Sequence, residues 1–205
     1  MLNLDEQYIL IPELKRPDLS KFSCGDEDLD EFFLKDAELF ALNLLGKTYF
    51  YIKVTKEATE VVAAFTLAND SVKAALVSKS IRNRLQRKIP NPKRMRNYPG
   101  MLIARLGVNV NMKGQHIGSQ VIDYIKAWVT ESDNKGGCRF LLVDAYNRPD
   151  VIHFYEQNDF RLMYDTEEEE KDVYDIQDEG PLRTRMMYYD LWYKIKDKPI
   201  PHDIP

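Results

Sequence analysis

The order of patterns along the chain predicts an α/β (α+β) fold with a mixed sheet and helices on both faces. Three observations carry this expectation. The β-branched and aromatic runs KTYFYIKV and VVAAFTLA flank the polar KEATE and read as a hairpin. From Met101 onward, strand-like and helix-like segments alternate. The stretch RLGVNVNMKGQHIGSQVIDYIKAWV, residues 105–129, runs from a strand pattern through a glycine-flanked turn into a helix. With 205 residues the chain has length for one sizeable core. We expect one domain over residues 1–194, with an acidic insertion at 165–180 and a loose Pro-rich tail at 195–205.

Each element has its own signal. QYILI reads as a short first strand followed by a Pro-bearing loop. In SCGDEDLDEFFLKDAELFALNLLG, the spacing of Leu29, Phe32, Phe33, Ala37, Phe40, Ala41 and Leu44 is helical, with Asp26 as N-cap and Gly46 as stop. After the hairpin, Ser71 to Ile89 can form a basic amphipathic helix through Val72, Leu76, Leu85 and Ile89. PNPKRMRNYPG reads as a loop and MLIARLGVNV as a strand. The helix near Gly118 has one apolar stripe, Val121, Ile122, Ile125, Trp128 and Val129. CRFLLVDAY is a strand, PDVIHFYEQND a short helix opened by proline, FRLMYD a strand and the acidic segment a loop. RTRMMYYDLWYK closes the sheet.

Charge and cysteine usage bound the function. No apolar run approaches the roughly 18 residues of a membrane span, and the start MLNLDEQ does not read as a signal peptide, so no membrane role is expected. Cys24 and Cys138 lack metal-type spacing; they read as buried thiols in a reducing compartment, the cytoplasm. The net charge of −4 hides a segregation. Ser71 to Ile122 contains no acidic residue, whereas DTEEEEKDVYDIQDE, residues 165–179, holds one lysine among its acids. The basic tract from Lys79 to Arg96 suits a polyanion such as tRNA, or is a solvated face. The acidic segment could shield a site, mimic nucleic acid or be a disordered insertion.

A helix N-terminus carries unpaired N–H groups and partial positive charge, which favours phosphate. Gly114 and Gly118 permit close backbone approach, or serve turn and packing. The surrounding residues resemble the GNAT N-acyltransferase superfamily, in which a strand leads into a Q/R-x-x-G-x-G/A turn and a helix. Here that turn reads Lys113, Gly114, Gln115, His116, Ile117, Gly118. VDAYNRPDVIHFYEQNDF resembles the second family motif, an Asn-initiated helix carrying Phe-Tyr and ending in Gly-Phe. FSCGDEDLDEFFLKDA, then Leu67 to Val72, Pro99 and Arg105-Leu106-Gly107-Val108, are similar to the branch that includes toxin–antitoxin acetyltransferases acting on aminoacyl-tRNA. Three positions depart from the pattern. Lys113 replaces Gln or Arg, His116 replaces the first motif glycine, and Asp159 replaces the glycine of Gly-Phe. Where φ is positive, histidine is costly and aspartate milder.

The resemblance implies a GNAT-type mixed, mostly antiparallel twisted sheet and acetyl-CoA (coenzyme A) as co-substrate, with no metal. It implies transfer to a primary amine by direct attack in a ternary complex. Toxin-type acetylation of aminoacyl-tRNA and a non-catalytic GNAT-fold binding module are the alternatives. The strand Leu106–Val110, with Leu106, Val108, Asn109 and Val110, would offer amides to the thioester and pantetheine, Val108 being the oxyanion donor. Lys113, Gly114, Gln115, His116, Ile117, Gly118 and Ser119 would hold the pyrophosphate. Tyr155 would protonate the leaving thiolate as general acid, or pack as an aromatic between Phe154 and Phe160. Asn147 would cap the following helix or bond the pantetheine arm. No general base stands out, since His153 points elsewhere on its helix and His202 lies in the tail. The acceptor amine stays unnamed, and an antitoxin protein or a second copy of the chain is left open as partner.

Overall fold

The computed structural model describes residues 8–12, 17–55, 59–92, 95–134 and 136–196. Seven strands make one sheet: β1 (Tyr8–Pro12), β2 (Lys47–Val54), β3 (Thr59–Lys73), β4 (Asn97–Val108), β5 (Phe140–Tyr146), β6 (Arg161–Leu162) and β7 (Thr184–Asp190). Their order is β1-β2-β3-β4-β5-β7-β6. Every pairing is antiparallel except β4 with β5, which is parallel. The expected mixed, mostly antiparallel sheet is therefore present.

Alternation along the strands divides the core in two. On one face lie α3 (Ile117–Trp128) and α4 (Pro149–Gln157). There Ile122 and Ile125 of α3 and Tyr155 of α4 pack on Phe65, Ile103, Leu141, Val143 and Ala145. The opposite face carries α1 (27–42), α2 (Lys79–Leu85) and α5 (Glu167–Tyr174). Phe33 and Ala37 of α1 meet Phe50 and Ala64, while Ile81 and Leu85 of α2 meet Tyr98, Phe140 and Leu142. A last short helix, α6, spans Trp192–Ile195. No helix among the described residues is long and apolar enough to cross a membrane.

Asp26 caps α1 as expected, accepting the Leu29 N–H. The helix widens to a π-turn at Phe32–Asp36, which places Phe32 and Phe33 consecutively in the core. Its stop is not Gly46. Leu44 takes the left-handed conformation, φ 58°, one residue after the helix is capped by Asn43.

Five expectations are corrected. The basic helix from Ser71 is instead the end of β3, whose register runs to Lys73 opposite Asn97; the helix begins only after Ser78 caps it. The apolar Val72 that suggested helix is a buried strand residue. Asn97 to Gly100, read as loop, pairs as the start of β4, and that strand ends at Val108 instead of Val110. The acidic segment is not a loop over its whole length. Thr166 caps α5 through the Glu169 N–H, and Glu170 is buried against Arg185 of β7 at 2.7 Å. RTRMMYYD does not close the sheet but lies between β5 and the edge strand β6. The tail from Asp197 and the first residues through Gln7 lie outside the described residues.

Candidate active site

The parallel contact between β4 and β5 is short. Gly100, Met101 and Leu102 pair with Phe140, Leu141 and Leu142, and beyond them the strands part. The cause is on the other edge of β4. Its register with β3 shifts between Thr66, opposite Arg105, and Leu67, opposite Ile103, leaving Ala104 as an extra residue. Such a bulge bends a strand and increases its twist, here turning β4 away from β5. The fork opens a cleft of about 950 Å³, lined by both strands, the start of α3, the inner face of α4 and α1.

Backbone direction along β4 follows from Asn109, whose N–H bonds the Val62 carbonyl of β3 at 2.9 Å. Alternation then turns Arg105 and Gly107 to β3 as well, and aims the Leu106 and Val108 amides into the fork. Asn109 and Val110 have other duties. Asn109 is 1 % exposed, its Nδ2 donates to the Val61 carbonyl and its Oδ1 accepts from Asn111 N–H. The Val110 N–H donates to Ser23. Neither residue lines the cleft.

The turn before α3 places Lys113, Gly114, His116, Ile117, Gly118 and Ser119 at the cleft and leaves Gln115 outside it. Gly114 has φ 79° with open space where a Cβ would stand, so conformation alone favours glycine there. Gly118 serves a different need: a Cβ would lie 3.0 Å from the Phe154 ring. Its absence lets α3 and α4 meet. His116 caps α3 with φ 57°, ψ 18°, and gives no side-chain capping bond. The first helical bond runs from Gln120 to the His116 carbonyl, so the amides of residues 117–119 point out of the helix end. A histidine in the left-handed region carries strain of about 1 kcal/mol. We predict that His116→Gly raises stability by up to about 1 kcal/mol, read as a higher denaturation midpoint.

Tyr155 sits on the α3/α4 side of the fork, 6 % exposed, with the Phe154 and Phe160 rings at 5.0 and 5.4 Å. Burial pushes its phenol above the ordinary range, which keeps it protonated. Asn147 does not cap α4, whose N-cap is Arg148 followed by Pro149. Its Nδ2 instead donates to Glu167 Oε1 and the Leu182 carbonyl, both at 2.9 Å, tying β5 to α5. Cys24 lines the cleft, but burial and the neighbouring Asp30 push its thiol up to about 12. A thiol held protonated in this way is a poor nucleophile.

The far mouth of the fork, on the α1/α5 side, was not read from the sequence. Arg183 forms an ion pair with Asp28 of α1 across it, and Arg105 lies over the Phe32 ring at 5.0 Å. Asp144 of β5 lines the fork and is exposed to it. One signal could have found it: a lone carboxylate inside the apolar strand CRFLLVDAY.

No family model and no curated protein matches the sequence. Solved structures do. A tyrosine-to-phenylalanine mutant of KacT superposes with TM-score 0.68 at 18 % identity, covering 93 % of this chain and 98 % of that one. AtaT complexed with acetyl-methionyl-tRNAfMet gives TM-score 0.67 at 19 % identity, covering 92 % and 97 %. AtaTR bound with AcCoA gives 0.64 at 22 %, covering 93 % and 96 %. At these identities the likeness establishes the fold.

Proposed function

From the GNAT fold that the chain shares with these structures, we propose that it is an acetyl-CoA-dependent N-acetyltransferase. It moves an acetyl group to a primary amine by direct attack in a ternary complex. The carrying observation is the fork itself: free β4 amides, an uncapped helix end and a protonated tyrosine line one continuous cleft. The α3 end, with the amides of Ile117, Gly118 and Ser119 and the Lys113 side chain beside it, holds the pyrophosphate. The Leu106 and Val108 amides bind the thioester arm, and Val108 N–H stabilises the oxyanion. Tyr155 donates its proton to the departing thiolate. Protonation of Cys24 supports direct attack over an acyl-cysteine route.

A second reading has a specific observation in its favour, since AtaT is seen with acetyl-methionyl-tRNAfMet. In that reading the acceptor is the amino group of aminoacyl-tRNA, and an antitoxin is a partner. The basic tract supports it only in part. Arg82 donates to the Ala74 and Val77 carbonyls, and Arg84 to those of Leu162 and Met163, so both serve the fold. Lys79, Arg87, Lys88 and Arg96 remain exposed to meet phosphates.

Calorimetry with acetyl-CoA tests the main reading. One saturable site is expected, and no heat up to millimolar ligand would leave only a binding module with this fold. Acetylation of charged tRNA tests the second: product at low salt that declines as salt rises is expected.

A further inference from the structure

The cleft passes through the sheet, so its two sides are chemically different. Along β5, Leu141, Val143 and Ala145 face α3, α4 and Tyr155, whereas Phe140 and Leu142 face α2. Alternation places Asp144 with the second set. It is two residues beyond the last β4–β5 pair, Leu102 with Leu142, at the root of the fork and next to the Ala104 bulge. Tyr155 and Asp144 therefore border one opening from opposite faces of the sheet.

Resting on the acetyltransferase reading, we infer that the acceptor amine enters from the α1/α5 side and that Asp144 binds its ammonium group and takes its proton. The groups facing Asp144 are Asp70 of β3, Arg105 of β4, and Glu170 and Tyr174 of α5. Arg185 is held by Glu170, and Arg105 donates to the Ala104 carbonyl, so neither guanidinium closes off the Asp144 carboxylate with a direct ion pair. Desolvation first, and Asp70 second, raise the Asp144 carboxyl, which makes it a better proton acceptor than an ordinary aspartate.

The proton inventory closes. An ammonium gives its first proton to the Asp144 carboxylate, which passes it to solvent. The freed nitrogen lone pair attacks the thioester carbonyl carbon, forming the C–N bond while the π pair moves to oxygen. Collapse breaks the C–S bond, and the thiolate takes the Tyr155 proton from the other face. The nitrogen's second proton leaves through Asp144, and Tyr155 regains one from solvent. The products are amide, coenzyme A thiol and one released proton.

The test compares the full chain with Asp144→Asn on three amines of falling basicity, propylamine, glycinamide and trifluoroethylamine, together with a lysine peptide and charged tRNA. Acetyl-CoA affinity is measured by calorimetry on each protein. We expect Asp144→Asn to bind acetyl-CoA within about twofold of the parent and to lose about 10²-fold or more in transfer to basic amines. The loss should shrink as amine basicity falls, a dependence that a packing role would not produce. Transfer by Asp144→Asn within about threefold of the parent, or a loss equal for all amines, overturns the role of Asp144 and leaves the acetyltransferase reading standing. A parent that binds no acetyl-CoA, or acetylates none of the five acceptors, overturns both.

Discussion

Tyr155→Phe should bind acetyl-CoA as the parent does while transferring acetyl groups about 10²–10⁴-fold more slowly. The substitution removes one hydroxyl from a ring that is already packed between Phe154 and Phe160, so the cleft keeps its shape. In the proposed reaction, what it removes is the proton for the departing thiolate. Because burial raises the phenol above its ordinary value of 10.0, the parent should show no alkaline loss of rate from this group up to that pH. Steady-state transfer rates alongside calorimetric affinities separate the two roles. Equal rates for Tyr155→Phe and the parent would leave the tyrosine as a packing residue.

The second large effect concerns stability. Glu170 and Arg185 are 4 % and 7 % exposed, and their Oε2–Nε contact is 2.7 Å. The same carboxylate accepts the Met186 N–H through Oε1, while Arg185 Nη2 donates to the Tyr164 carbonyl. Glu170→Ala should destabilise the protein by about 3–5 kcal/mol, because it leaves a buried guanidinium and a strand amide without their acceptor. Desolvation outweighs the pairing at Glu170 and raises its carboxyl, so the pair itself is no large net gain. Replacing both residues by methionine should therefore recover much of the loss. Denaturant midpoints of the two variants decide it, and equal midpoints for single and double variants would contradict the orphaned-charge account.

How much of this was legible in the sequence depends on what each signal measured. The α3 stripe was readable because Val121, Ile122 and Ile125 face one core and nothing competes with their spacing. The left-handed φ at His116 falls at the position where the resemblance puts a motif glycine, the residue that takes this conformation without strain. The tract after Ser71 misled because Val72 and Leu76 fit a helical repeat, whereas pairing with Tyr98 and its neighbours holds the first residues in β3. The acidic segment misled in the other way. Its charge spoke for solvent, but Thr166 and a single buried glutamate were enough to fix a helix. Asn147 was read from a local motif, while its partners, Glu167 and Leu182, are far along the chain. The Ala104 bulge carries no residue signature at all. It is a property of how β3 and β4 align, and so is the fork that depends on it.

A crack that runs partway into a sheet has a tip, and here the tip is Leu102 beside Leu142. It is clamped by Tyr98 and Phe140 below and by Ile103 and Leu141 above, all at 1 % exposure or less. Rigid interior packing of this kind resists both closing and lengthening of the gap. The width of the gap is consequently gauged by four close-packed side chains, and in the proposed reaction trimming any one of them would alter the geometry without touching a reacting group.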